Sequence, residues 1–193
     1  MIRTLRRYVT EESIPRWKGI LCSSTPWLST IGAWLASQWL IRADKCLLAH
    51  AFLNACLTYS SIAFGFCVTG ITMCLAIADQ SFVRKLVQRF AEGSKHNSYS
   101  DLIFIFTWTA AAHILLIAVS IFALFSFGPD ERLFASTFHW SKNGLAGFEV
   151  GLLLYALMQF LTTVLTLSSV AKIYIDHLVK SPSPSKPSAR SEK

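Results

Sequence analysis

The chain has 193 residues, of which 53% are hydrophobic and only 15% charged, with a mean hydropathy of +0.45 and a net charge of +7. A soluble domain of this size carries about 25% charged residues. Here the charges sit in short islands between long apolar stretches, which excludes an ordinary water-soluble domain and points to an all-α polytopic membrane protein.

The first 19 residues form a basic arm with Arg3, Arg6, Arg7, Arg16 and Lys18. Glu11, Glu12 and Pro15 interrupt it, and no small-residue cleavage site follows, so no cleavable signal peptide is expected. From about residue 20 to about 178 the pattern predicts a four-helix transmembrane domain, a span needing about 20 apolar residues. The first span covers about residues 20–41. Pro26 near its start is compatible with a first helical turn, and Trp27, Trp34 and Trp39 suit an interface. The second covers about 47–78, longer than a bilayer requires, so it must tilt, kink or extend.

Within span two, Asn54, Thr58, Ser61, Gly65, Thr69 and Thr72 recur at helical steps. Ser61, Gly65 and Thr69 make a ladder of small residues that predicts close helix packing or a pore lining. A link over 79–101 follows. In it Phe82, Val83, Leu86, Val87 and Phe90 share one helical face, flanked by Arg84, Lys85, Gln88 and Arg89. Such a helix lies on anionic headgroups or packs on a protein partner. Phe82, Arg84, Lys85, Leu86, Arg89 and Phe90 are therefore the candidate lipid or partner interface.

The third span covers about 102–127, with Thr109, His113 and Ser120 on one face. His113 falls near mid-bilayer, where a neutral ring hydrogen-bonded to a hydroxyl competes with a proton- or ion-linked role. An outer loop over 128–144 carries Phe134, Phe138 and Trp140 as expected interfacial anchors. The fourth span covers about 145–173. Tyr155, Gln159, Thr162, Thr166 and Ser169 give it a polar stripe for packing or pore lining. Glu149, like His50, is expected shallow enough to meet water. The tail, 179–193, is rich in Ser and Pro and is expected to be disordered.

Of the 18 basic residues, 14 fall in the arm, the link and the C-terminal part; the others are Arg42, Lys45, Arg132 and Lys142. This bias predicts both termini and the link in the cytoplasm. The charge is then topological and requires no direct nucleic-acid contact. The five cysteines, Cys22, Cys46, Cys56, Cys67 and Cys74, form no paired motif and are expected as small buried hydrophobes. No catalytic, nucleotide-binding or metal-site motif is present, so no cofactor and no enzyme activity are expected.

At "IAFGFCVTGITMCLAIADQSFVRKL" the chain resembles small four-span bacterial membrane proteins of antiphage defence systems, a group that includes the membrane subunit of the Kiwa system. Gly65, Phe66 and Thr69 fit the helical step of that group, and Asp79, Phe82, Arg84 and Lys85 fit the turn after it. The resemblance implies a homo-oligomer in the bacterial inner membrane and a cytoplasmic, DNA-binding partner protein. It implies no catalytic residue. The expected function is a non-enzymatic membrane sensor or scaffold for that partner. A pore-forming effector and a small transporter are the alternatives.

Overall fold

The computed structural model describes residues 23–43, 47–76, 80–88, 98–128, 131–134 and 140–180. The arm, Asp79, Arg89, Phe90, Phe138 and residues 181–193 of the tail lie outside them, while Val179 and Lys180, expected to be disordered, end the last helix.

Five helices are described: α1 (Ser24–Arg42), α2 (Ala49–Leu75), α3 (Gln80–Gln88), α4 (Ser98–Ser126) and α5 (Trp140–Lys180). Ala49–Leu75, Ser98–Ser126 and the Gly144–Asp176 part of α5 are each long and apolar enough to cross a membrane. α1, with Ser29, Thr30, Ser37 and Gln38 among its 19 residues, is less apolar and does not meet that measure. The hydroxyls of Ser29 and Thr30 both donate to the carbonyl of Pro26 at 2.8 Å, so the proline sits in the first turn without leaving that oxygen bare.

α2 and α4 run antiparallel along their full lengths. His50 faces the Phe127 carbonyl at one end, Tyr59 meets His113 in the middle, and the hydroxyl of Tyr99 donates to the Cys74 carbonyl at the other end. The buried face of α2 is made of Leu53, Cys56, Ser60, Ala63, Cys67, Gly70 and Cys74. These recur every three or four residues and all but Leu53 are small, so α4 approaches closely and presents large side chains, Leu102, Phe106, His113 and Leu116, each buried. Gly70 is the tightest point: a Cβ there would overlap the Phe106 ring.

The sequence reading placed the packing ladder of α2 at Ser61, Gly65 and Thr69. All three are exposed, and nothing lies within 4 Å of a Cβ built on Gly65. One residue of offset turns a helix by about 100°, and the larger contact surface selected the Ser60–Cys67–Cys74 face. The free cysteines Cys56, Cys67 and Cys74 are buried on that face.

α1 packs antiparallel on the first half of α5 through a second small-residue seam. A Cβ at Gly151 would stand 3.4 Å from the Ala33 Cβ, and one at Gly147 would stand 3.8 Å from the Ser37 Oγ. The stretch "GFEVG", Gly147 to Gly151, has the spacing that brings membrane helices together.

Leu47 and Leu48 do not extend span two. They form a strand, β1, paired antiparallel with β2 (Arg132–Leu133), and the Ala49 N–H donates to the Glu131 carbonyl at 2.9 Å. This pairing satisfies backbone groups where α2 begins. It also folds the outer loop inward. Phe134, expected at the interface, is buried, and its φ of 63° turns the chain there. Leu133 and Phe134 join Leu53, Ala123, Phe127, Ala146 and Val150 in a core that closes the outer end.

Elsewhere the surface is strongly apolar. Ile62 is 70% exposed, Phe122 64% and Phe125 88%, with Leu161 and Leu165 exposed on α5. A water-soluble monomer rarely shows so continuous an apolar surface; hydrocarbon accepts it.

Candidate functional site

The polar groups inside the bundle form two closed sets. The first runs through the middle. His113 Nδ1 lies 2.7 Å from the Thr109 carbonyl and Nε2 lies 3.3 Å from the Tyr59 hydroxyl. A carbonyl only accepts, so Nδ1 carries the proton and Nε2 accepts from the Tyr59 O–H. Both nitrogens are satisfied by a neutral ring.

Thr163 donates to the Gln159 carbonyl at 2.9 Å, so it accepts from Thr109, 2.7 Å away. Tyr59, His113 and Phe160 meet around this point in tilted and edge-to-face contacts with ring centroids 5.5 to 6.5 Å apart. Tyr59, Thr109, His113 and Thr163 thereby hold α2, α4 and α5 together. Thr163 was not singled out in the sequence, where the stripe was drawn through its neighbour Thr162. Thr162 is exposed.

The second set is nearer the outer end. Ser120 of α4 donates to Oε1 of Glu149 on α5. Glu149 was expected to meet water. It is 1% exposed. Its Oε2 and the Ser60 Oγ are the buried side-chain atoms without a hydrogen-bond partner among the described residues.

A groove of about 1140 Å³ lies where α1 diverges from α4, lined by Trp34, Gln38, Trp108, Leu115, Phe148 and Tyr155 among others. The Trp108 Nε1–H donates to the Tyr155 hydroxyl at 2.8 Å on its wall. Tyr155 and Gln159 are half-buried, while Thr162 and Ser169 are exposed and Thr166 partly so. The hydroxyls of Thr162, Thr166 and Ser169 donate to carbonyls one turn back on the same helix, at 2.8 to 3.0 Å.

The α2 stripe faces outward as a whole. Asn54, Thr58, Ser61, Gly65, Thr69 and Thr72 are exposed, and the three threonines bond to their own helix at 2.9 Å. α2 therefore has two small faces, one filled by α4 and one left open.

The apolar face of α3 is not an open interface. Phe82 and Leu86 are 2% and 3% exposed, and Phe82 packs edge-on against Tyr174 of α5 with centroids 4.8 Å apart. They were expected to meet lipid or a partner, but α3 packs against α4, and Tyr174 of α5 lies against Phe82. Arg84, Val87 and Gln88 remain exposed. The Lys85 side chain, Arg89 and Phe90 lie outside what the structure describes.

Among the described residues no group of three or more His, Cys, Asp or Glu side chains could hold a metal ion. The class these features define is a helical membrane protein built on three helices long and apolar enough to cross a membrane. No family model, no curated protein and no solved structure matches the chain.

Proposed function

We propose that this chain is a non-enzymatic subunit of the bacterial inner membrane, acting as a homo-oligomeric scaffold and sensor for a soluble cytoplasmic protein in an antiphage defence system. In this reading α1 is a fourth span, and both termini and α3 face the cytoplasm. The observation that carries the assembly is the open face of α2. Asn54 places an amide where lipid offers it no partner, and Ser61, Gly65 and Thr69 leave room for a second helix at close range. The packing of α1 along Gly147 and Gly151 supports a fourth span. The exposed Arg84 and Gln88 offer a soluble partner a polar docking edge beside the membrane.

Single cysteines at Ser61 or Thr69, in a chain stripped of its native cysteines, should form oxidant-dependent dimers in membranes. A cysteine at Ile62, exposed on the neighbouring lipid face, should do so far less. No cross-link at either site, together with a detergent particle of one copy's mass, would refute the assembly. For the partner, the tagged chain expressed with its native gene neighbourhood should retain one soluble protein in stoichiometric amount, and Arg84→Glu should release it.

A pore is the second reading, favoured by the exposed Thr162 and Ser169 on α5. Induced expression would then depolarise cells, and Thr162→Leu would stop it without loss of assembly. A transporter ranks last, because α2 and α5 run unbroken through Gly65 and Gly147 and such carriers use interrupted helices.

A further inference from the structure

We infer that Glu149, clasped by Ser120, is an occluded proton-binding site: a carboxylic acid held neutral between α4 and α5 beneath the outer end of the bundle. Three observations converge on it. The side chain is 1% exposed and Ser120 is fully buried. Oε1 takes the Ser120 hydroxyl, while Oε2 has no partner among the described residues. On either side of it along α5, Ala146 and Val150 are buried in an apolar core with Leu53, Ala123, Phe127, Leu133 and Phe134.

An ionised carboxylate with a single hydrogen bond and no counter-charge is very costly in such a setting. A metal or alkali ion is a poor alternative occupant. Hard cations take about six or more oxygens, and the side-chain oxygens brought together here among the described residues are those of Glu149 and Ser120. From α2 the titratable group facing the carboxyl is Cys56, near enough to interact with its charge. His50 lies further out on α2, turned to the Phe127 carbonyl, and Glu131 and Arg132 sit on the outer strand segment. A proton on Oε2 supplies what the pocket lacks without adding charge.

The site makes the α4–α5 seam sensitive to loss of one proton.

The test is reaction of the full chain in native membranes with dicyclohexylcarbodiimide, a lipid-soluble reagent that needs a protonated carboxyl. The acid oxygen bonds to the central carbodiimide carbon and its proton passes to a nitrogen. Acyl migration to that nitrogen then leaves a stable adduct with the mass of one whole reagent. Peptide mapping should find that adduct at Glu149, and E149Q should lose it. The infrared C=O band of a protonated carboxyl should also be present in the wild type and absent from E149Q. This second readout does not depend on reagent access. Absence of the band overturns the inference whatever the labelling shows. Slowing of the labelling by sodium or potassium at fixed pH would mean a cation site, and would overturn it as well.

Discussion

The hydroxyl of Tyr59 on α2 stands 3.3 Å from Nε2 of His113 on α4, and its ring lies 5.5 Å from the imidazole, centroid to centroid. The one buried histidine at the centre of the bundle is thus anchored by a phenol. Tyr59→Phe should keep the ring contact and remove the donor, costing about 1 kcal/mol. His113→Ala should cost about 2–4 kcal/mol, since it opens a cavity as well. Unfolding titrations in mixed detergent measure both. Equal losses for the two variants would mean that the hydrogen bond, and not the packing, carries the site.

Two glycines on one helix should behave oppositely. Gly70→Ala collides with Phe106 and should lower stability by about 1–3 kcal/mol. Gly65→Leu meets open space within the chain and should leave the monomer's stability unchanged, while reducing the Ser61 cysteine cross-link between copies severalfold. A Gly65→Leu variant that cross-links normally would remove α2 from the assembly.

The seam between α1 and α5 has a direct chemical readout. The Ser37 Oγ lies 3.8 Å from where a Gly147 Cβ would stand, within the reach of a disulfide. Ser37→Cys with Gly147→Cys, in a chain without native cysteines, should oxidise within one copy and shift its mobility on a gel. Failure to form this bond in membranes would mean that α1 does not lie along α5 there.

Phe82 and Arg84 separate folding from recognition on one short helix. Phe82→Ala removes a buried ring from Tyr174 and should cost about 3–5 kcal/mol. Arg84→Ala changes an exposed side chain and should leave stability within about 0.5 kcal/mol. Partner binding that survives Arg84→Ala and Arg84→Glu would clear this edge of the proposed role.

The helices were legible in the sequence because apolar length is a strong and local signal. α4 and α5 lie where hydropathy drew them, extended at their ends. The choice of face was not legible. Along α2, Ser60–Cys67–Cys74 and Ser61–Gly65–Thr69 are equally small, and only the shape of α4 decides between them. Thr163 was hidden for the same reason, one residue from a threonine that bonds to its own helix. Glu149 was misread because depth along a helix was taken for access to water, whereas its side chain is buried against Ser120 of α4. A two-residue strand has no sequence signature. The GFEVG spacing, which marks where α1 rests, is a local signal that the sequence reading did not use.

α5 is one continuous helix of 41 residues, about 60 Å long at 1.5 Å per residue. It carries Glu149 under the outer core and Tyr174 against α3, about 38 Å apart along its axis. No break in the helix separates the two contacts, so a rotation of α5 that parts Glu149 from Ser120 is carried along the same helix toward Tyr174 and its contact with Phe82.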